Sequence, residues 1–343
     1  MSEQGRKKLL IIGSGNVHNY NYIELIKDYF DEILLLTDKK DGEYNITTIE
    51  VDFRLGLTMI GSIKKIKSIV KSYSPSVIHI HQSNSYALIT LLAMKNNSIP
   101  TILTALGSDV LVNPNRNILL KKILSYNLNH VKVATSDSLF MATEMKKYNQ
   151  NLNVHIANFG IEAVTTAVKK ENIIYSNRLH NPLYNIEKVI ENFYEFSKKN
   201  RDWKLIVGSI GSETKNLKKM VHTLGLEDSV EFIGWVDEDV KNYIYQKAKI
   251  FISIPSSDAT AISLLEAIAH NCICFVSNLP ANSEHILDGI NGFIEPNVEK
   301  IDLDKYSKID MELLERVNQI RKESYLKEYN RKKFIDIYEE VLK

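Results

Sequence analysis

The sequence predicts an α/β protein made of two doubly wound, Rossmann-like domains. Short apolar runs alternate with segments of helical periodicity along nearly the whole chain of 343 residues. The runs are apolar throughout, which is typical of parallel strands that are buried on both faces of a sheet. The length of 343 residues also favours two domains over one.

The first half of the chain carries one set of alternating elements. Helical patterns separate the apolar runs, so consecutive strands are expected to run parallel. The predicted strands are Leu9–Gly13, Glu32–Thr37, Val77–His81, Thr101–Ala105, Val131–Thr135 and Asn153–Ala157. The predicted helices are Tyr20–Tyr29, Thr58–Ser74, Ser85–Lys95, Arg116–Asn127 and Ser138–Tyr148.

A second alternating set begins near residue 170. Its predicted strands are Ile173–Asn177, Lys204–Gly208, Val230–Gly234, Ile250–Ile254, Ile273–Ser277 and Gly292–Glu295. A final helix, from about Glu323 to Lys343, carries Tyr325, Phe334 and Tyr338 at helical spacing. We therefore expect a first domain at 1–165, a second at 166–325 and a C-terminal helix at 326–343.

Composition excludes several classes of protein. The formal net charge of +1 does not suggest nucleic-acid binding, and no apolar stretch is long enough to span a membrane. Cys272 and Cys274 come without a set of metal ligands and are expected to be reduced core residues. We expect a cytoplasmic protein that needs no cofactor.

Segment 249–296 is the most informative part of the sequence. An apolar run ends at Ile254, a Pro-Ser-Ser-Asp turn follows, and a helical pattern then leads to a second apolar run. Asp258 and Glu266 lie eight positions apart, just over two helical turns, so both would point from nearly the same side. In open α/β sheets such a helix start faces the carboxyl ends of the strands, where ligands bind.

The residue types at this helix start suit a sugar nucleotide. Ser256, Ser257 and Asp258 are good N-caps, so the helix is expected to begin directly after them. Glu266 could accept hydrogen bonds from a ribose diol, and Asp258 would lie near the sugar. Alternatively, Asp258 only caps the helix and Glu266 is a solvated helix residue. The amides expected to bind phosphate are those of Ala259, Thr260, Ala261 and Ile262.

The segment resembles the donor-binding signature of retaining glycosyltransferase family 4, whose members have the GT-B fold. The matching features are Asp258 and Glu266, Leu265–Ala269, Pro280 with Glu284, and Asp288–Gly292. The resemblance implies two Rossmann-like domains facing a cleft, with the C-terminal helix crossing back to the first domain. The first acid is Asp258, where the family has Glu, and the shorter side chain changes which sugar hydroxyl it can reach.

The resemblance also assigns roles to residues outside this segment. It places Arg178 beside the leaving diphosphate, so that the implied catalytic residues are Asp258, Arg178 and Glu266. The other donor-binding residues that it implies are Gly13, Gly15, Gly208, Ser209 and Gly234. Two positions depart from the family pattern. Leu106 replaces a His that contacts the donor sugar, and no Lys follows Arg178 in the stretch that ends at Tyr184.

Acceptor and membrane contacts are expected in the first domain. Asp109 is a candidate for acceptor binding, and a loop cap is an equally good interpretation. Of His79 and His81, only His81, nearer the end of its strand, is expected to face the cleft; either could instead be a structural histidine. A basic amphipathic helix could lie on anionic lipid or simply expose a solvated face. Its basic residues are Lys64, Lys65, Lys67 and Lys71.

These observations predict a retaining, metal-independent glycosyltransferase. Its donor would be a nucleoside diphosphate sugar, with UDP favoured, and its acceptor a hydroxyl of a glycan or lipid-linked sugar in cell-surface polysaccharide synthesis. The two Asp-x-Asp runs, at Asp237 and Asp302, are expected to be a helix start and a tail segment instead of metal sites. The alternatives are a nucleotide-sugar epimerase on the same fold and a non-catalytic binding subunit.

Overall fold

The chain forms two compact units in a computed structural model that describes residues 6–40, 45–164 and 168–343. The first unit comprises Met1–Gly160 and Lys327–Lys343, and the second comprises Ile161–Leu326. The divisions thus fall after residues 160 and 326, where the sequence suggested 165 and 325. Each unit is built on one parallel sheet with helices between the strands, which confirms the predicted fold class.

The sheet of the first unit has strand order β3-β2-β1-β4-β5-β6-β7. Its strands are β1 (Lys8–Ile12), β2 (Glu32–Thr37), β3 (Thr47–Glu50), β4 (Val77–His81), β5 (Thr101–Thr104), β6 (Val133–Ser136) and β7 (Asn153–Ile156). The strand β3 was not predicted, because it lies at the sheet edge and none of its four residues is fully buried. A half-exposed strand does not produce the continuous apolar run that marks a central one.

Four helices of the first unit begin at a polar side chain that caps them. They are α1 (Val17–Ile26), α2 (Met59–Tyr73), α3 (Ser85–Ala93), α4 (Ser108–Leu111), α5 (Asn113–Arg116), α6 (Ile118–His130) and α7 (Leu139–Lys146). The side chains of Asn16, Asn84, Asn117 and Ser138 cap α1, α3, α6 and α7. The cap at Asn16 explains why α1 begins three residues before the predicted start at Tyr20.

The sheet of the second unit has strand order β10-β9-β8-β11-β12-β13. Its strands are β8 (Glu171–Asn177), β9 (Lys204–Gly208), β10 (Val230–Gly234), β11 (Ala248–Ser253), β12 (Ile273–Ser277) and β13 (Gly292–Glu295). Its helices are α8 (Ile186–Ser197), α9 (Thr214–Leu224), α10 (Glu238–Lys247), α11 (Ile262–Ala269) and α12 (Met311–Tyr325). The strand order reverses direction around β8 and β11, so their carboxyl ends form the switch point where such sheets bind ligands.

The C-terminal segment is two helices, where the sequence suggested one continuous helix from about Glu323. The helix α12 ends at Tyr325, and α13 (Lys327–Leu342) follows after Leu326, whose backbone is extended. Leu326 forms a β-bridge with Ile161, and the amide of Ile161 donates to the carbonyl of Tyr325 over 2.8 Å. This pairing interrupts the helix at the point where the chain leaves the second unit.

The helix α13 is an integral part of the first unit. Phe334 and Tyr338 are buried in the core cluster that also contains residues of α1 and β1. The hydroxyl of Tyr338 lies 2.6 Å from Nδ1 of His79 and 2.7 Å from the hydroxyl of Tyr22. Apolar packing and a buried hydrogen-bond network therefore fix the C-terminal helix to the first sheet, as the expected crossover requires.

Two further findings concern membrane spans and the cysteines. Among the described residues, no helix combines the length and the apolar character that crossing a bilayer requires. Cys272 and Cys274 are buried and have free thiols. Burial raises the pKa of both thiols, so neither is activated as a nucleophile.

Candidate active site

Arg178 lies directly after β8, at the switch point of the second sheet. Its guanidinium Nη2 lies 2.7 Å from Oδ2 of Asp258, and Nη1 donates to Oγ of Ser263 over 3.3 Å. The guanidinium also lies over the ring of Tyr184, 4.5 Å from its centroid. Three neighbours therefore hold Arg178, and its side chain is only 9% exposed.

Asp258 is the counter-charge of this buried guanidinium. Burial alone would lower the pKa of Arg178, but Asp258 and Tyr184 together more than offset it, so the pKa of the guanidinium is raised. The carboxylate of Asp258 is 20% exposed, so a ligand can still reach it. Asp258 and Arg178, two of the predicted catalytic residues, thus form an ion pair at the carboxyl end of β8.

The start of α11 differs from the prediction. The helix begins at Ile262 with Ala261 as its N-cap and no side-chain cap, whereas Ser256, Ser257 and Asp258 were expected to cap it. The carboxylate of Asp258 binds Arg178 instead, and its Oδ1 accepts a hydrogen bond from the amide of Ala259 over 3.0 Å. The ion pair with a buried guanidinium is a stronger interaction than a cap, because it satisfies two charges at once.

The residues at this helix start are small and mostly buried. Ala259, Thr260 and Ala261 are each less than one tenth exposed, and Thr260 Oγ1 lies 3.4 Å from Nε2 of His285. Asp258 already engages the amide of Ala259, and the amide of Leu264 donates to the carbonyl of Ala261 over 3.0 Å. The first-turn amides that remain for an anion are therefore those of Ile262 and Ser263, where the helix has no side-chain cap. The helix dipole favours negative charge at that point.

Glu266 is buried in the second turn of α11, with 7% of its side chain exposed. Its Oε1 accepts a hydrogen bond from Nζ of Lys241 on α10 over 2.5 Å. Burial raises the pKa of Glu266, and the ammonium of Lys241 opposes that shift. The interpretation of Glu266 as a solvated helix residue is therefore wrong, and a buried carboxylate with a cationic partner remains.

Lys241 is a site residue that the sequence analysis missed. It lies four positions before Tyr245, which is fully buried, so both occupy the same face of α10. A lysine on the buried face of a helix is unusual enough to have been noticed. Its partner could not be inferred, since Glu266 is 25 residues away in sequence.

The loop after β9 packs closely against the end of β10. The amide of Ser209 donates to the carbonyl of Gly234 over 2.7 Å, and both residues have left-handed backbone angles. A Cβ atom on Gly208 would lie 2.8 Å from Oδ1 of Asn177 and 3.0 Å from the hydroxyl of Tyr175, which explains the glycine. The three predicted donor-binding residues Gly208, Ser209 and Gly234 therefore lie together beside the end of β8.

In the first unit, Gly13 in the loop after β1 lies against His81 at the end of β4. A Cβ on Gly13 would lie 2.5 Å from Nδ2 of Asn19 and 3.2 Å from Cβ of His81. Asn19 links the two sides, since its Nδ2 donates to the carbonyl of Ser14 and its Oδ1 hydrogen-bonds with Nδ1 of His81. His81 therefore holds the glycine loop in place, while Gly15 forms an isolated bridge with Lys40.

The expectation that only one of His79 and His81 can face the cleft is wrong. Residues two apart on a strand share a face, and the two rings lie 4.8 Å apart. Both side chains are completely buried. Burial lowers the pKa of His81 to about 3, so its ring is neutral at physiological pH.

Asp109 organises two loops of the first unit. Its carboxylate accepts hydrogen bonds from the amide of Ser83 over 2.6 Å and from the amide of Leu106 over 3.1 Å. The side chain is buried, and burial raises the pKa of its carboxyl. These contacts give Asp109 the loop-capping role that the sequence left as one of two interpretations.

Lysine and aspartate residues near the predicted site have partners elsewhere. Lys188 pairs with Glu191 and Glu299 on α8 and its neighbouring loop. Asp237 caps α10 by accepting from the amide of Val240 over 2.9 Å, as expected of a helix start. In the described part of the chain, no group of three or more His, Cys, Asp or Glu residues is arranged to hold a metal ion.

The fold and this site together define a glycosyltransferase of the GT-B type. The pattern of the family "Glycosyl transferases group 1" matches residues 160–332, which is the second unit and its exit into α13. The pattern "Glycosyl transferase 4-like" matches residues 7–138 in the first unit. The chain belongs to the group 1 glycosyltransferases.

Curated relatives are also glycosyltransferases. An uncharacterized glycosyltransferase of Haemophilus influenzae is 26% identical over 255 residues, which cover 69% of this chain and 68% of that protein. The alpha-monoglucosyldiacylglycerol synthase of Streptococcus pneumoniae is 22% identical over 236 residues, which cover 60% of this chain and 52% of that protein.

Solved structures with the same fold cover nearly the whole chain. Anabaena HepE, solved with UDP and glucose, superposes with a TM-score of 0.78 at 12% identity over 97% of this chain and all of that one. Sucrose-phosphate synthase from Thermosynechococcus elongatus gives a TM-score of 0.81 at 13% identity, covering 98% of this chain and 99% of that one. At these identities the likeness concerns the fold.

Proposed function

We propose that this glycosyltransferase moves a sugar, with retention, from a nucleoside diphosphate donor to a hydroxyl of a glycan or lipid-linked acceptor. The observation that carries the proposal is the cluster at the carboxyl end of β8. There, Arg178 and Asp258 form an ion pair beside the uncapped start of α11, and Glu266 is buried one turn deeper. These groups supply a cation, an anion-binding helix start and a diol acceptor in one place.

Each part of a nucleotide sugar has a matching group in this cluster. The first-turn amides of α11 and the guanidinium of Arg178 suit the diphosphate, because both favour negative charge. The carboxylate of Glu266 suits the ribose hydroxyls, and Asp258 suits a hydroxyl of the transferred sugar. The loop of Gly208 and Ser209, beside the end of β8, is proposed to contact the nucleoside. UDP is the favoured nucleotide, which the UDP complexes of Anabaena HepE support.

The proposed reaction needs no metal ion and no protein nucleophile. As the glycosidic bond to the diphosphate breaks, negative charge grows on the leaving phosphate, and the fixed guanidinium of Arg178 stabilises it. The leaving phosphate takes the proton of the acceptor hydroxyl, which attacks from the same face of the sugar. The start of α11 and Arg178 stabilise the negative charge of the diphosphate, a task that a bound metal ion performs in metal-dependent transferases.

The acceptor is proposed to bind the first unit, and a lipid-linked acceptor fits an exposed stripe there. Ile60 is 66% exposed at the start of α2, and the basic residues Lys64, Lys67 and Lys71 follow at helical spacing on the exposed surface. Lys65 instead donates to the carbonyl of Glu50 over 2.7 Å. The stripe suits peripheral contact with an anionic membrane from the cytoplasm, during synthesis of surface polysaccharide or glycolipid.

Replacing Arg178 tests the assignment of the leaving-group site. Arg178→Ala is expected to lower kcat about tenfold or more, because the lost charge acts most strongly as the diphosphate departs. Arg178→Lys should recover only part of the rate, since an ammonium lacks the bidentate fork. Steady-state rates of donor consumption give the measurement. Arg201→Ala, at an exposed arginine of the same unit, is the matched control. Full activity of Arg178→Ala would exclude Arg178 from the site.

Metal removal tests the proposed charge balance. Activity is expected to survive excess EDTA, because Arg178 and the start of α11 already meet the phosphate charge. The double variant Asp237→Asn, Asp239→Asn should also stay active, since Asn caps a helix as well as Asp does. Activity that strictly requires added Mg²⁺ or Mn²⁺ would contradict the proposal. The contradiction would be most direct if the double variant lost this metal-dependent activity.

Vesicle sedimentation tests the membrane contact. The wild type is expected to bind phosphatidylglycerol vesicles more than phosphatidylcholine vesicles, and the triple variant Lys64→Gln, Lys67→Gln, Lys71→Gln should lose that preference. Each basic residue near an anionic surface contributes about 1 kcal/mol, so the loss should be large. The control replaces Lys198, Lys215 and Lys219, exposed lysines of the second unit, in the same way. If both triple variants lost the preference for phosphatidylglycerol equally, net charge alone would explain the binding and the contact through α2 would be contradicted.

A further inference from the structure

The contact between Lys241 and Glu266 joins two helices beneath the proposed ribose site. Nζ of Lys241 lies 2.5 Å from Oε1 of Glu266 and 2.9 Å from Oε2 of Glu238. The side chains of Lys241 and Glu266 are 19% and 7% exposed, whereas Glu238 is half-exposed. Solvent therefore screens the Glu238 contact strongly, and the Glu266 contact much less.

The position of Lys241 is unusual for a surface lysine. On the same helix, Lys247 pairs with Glu171, whose side chain is 52% exposed at the opposite end of the sheet strand β8. Lys241 instead directs its ammonium to a carboxylate that has almost no access to water. A buried carboxylate without a cation tends to take up a proton, and a protonated carboxyl accepts hydrogen bonds from hydroxyls less well.

We propose that Lys241 is a positioning residue of the donor site, which keeps the carboxylate of Glu266 ionised and directed towards the ribose. The inference rests on the proposed role of Glu266 in donor binding. Lys241 binds one carboxylate oxygen, Oε1, and the side chain of Tyr245 also hydrogen-bonds to this carboxylate. An ionised carboxylate offers about four acceptor sites, so it keeps the capacity to accept from a diol. The residue would thus raise donor affinity by preparing Glu266, without contact with the reacting atoms.

Other groups around Glu266 do not replace Lys241. Burial alone would lower the pKa of Lys241, but Glu266 and Glu238 together more than offset it, so the pKa is raised and the lysine stays charged. The titratable groups around Glu266 are Lys241, Glu238 and Tyr245 of α10, Tyr175 of β8 and His270 at the end of α11. Burial raises the pKa of both tyrosines and lowers that of His270, so all three are neutral at physiological pH. Among these, Lys241 is the cation.

Calorimetric titration with UDP between about pH 6 and pH 8.5 tests the proposal. In Lys241→Met, Glu266 should be partly protonated at the lower pH, so UDP affinity should fall about tenfold or more there and clearly less at the higher pH. Taking the ratio of wild type to variant at each pH cancels the titration of UDP itself. Lys241→Arg should restore most of the affinity at low pH. Lys247→Met, which removes the other lysine–glutamate pair of α10, should match the wild type.

A second measurement separates failure of this inference from failure of the proposed function. The side-chain carboxyl of Glu266 can be followed by carbon NMR without nucleotide, with Glu266→Gln to assign its signal. Its apparent pKa should be higher in Lys241→Met than in the wild type. An unchanged carboxyl titration, or a loss of UDP affinity that is equal at every pH, would overturn the inference. If the wild type bound no UDP while the carboxyl titration shifted as expected, Lys241 would still be shown to keep Glu266 ionised, and the nucleotide proposal would fail.

Discussion

A carboxylate that is buried away from water is stabilised in its charged form by a nearby cation. The second unit contains two such carboxylate–cation pairs near the carboxyl end of β8. Asp258 faces Arg178, and Glu266 faces Lys241. In both pairs, each side chain is at most one fifth exposed. Removing either partner of a pair would leave an uncompensated buried charge, so the residues of each pair depend on one another for their stability and their geometry.

The two pairs are linked through Ser263 and Tyr245. Ser263 Oγ accepts from Arg178, and its carbonyl accepts from the hydroxyl of Tyr245, the residue one turn after Lys241 on α10. The helices α10 and α11 and the end of β8 are thus held by side chains that also form the proposed donor site. The same contacts that stabilise the second unit fix the distances between its charged groups, which is what preorganised electrostatic binding requires.

Much of the fold was predictable because buried parallel strands leave a local signature. All six strands of the second sheet follow from apolar runs, while β3 was missed because it is short and half-exposed at an edge. The break at Leu326 was missed because its cause, the pairing with Ile161, is far away in sequence. The spacing of Asp258 and Glu266 predicted two acids on one side of a helix, but α11 begins at Ile262 and Asp258 lies before it. The partners of the two acids, and the absence of a side-chain cap on α11, depend on tertiary contacts that no local pattern encodes.

The central claim is that Glu266 binds the ribose of the donor, and a comparison of two nucleotides tests it most directly. The affinities of UDP and 2′,3′-dideoxy-UDP should be measured by calorimetry for the wild type and for Glu266→Gln. Charge-assisted hydrogen bonds contribute about 1.5–3 kcal/mol, so the wild type should prefer UDP by roughly tenfold to a hundredfold, and the variant should lose most of that preference. Equal affinity of the wild type for both nucleotides would contradict the account.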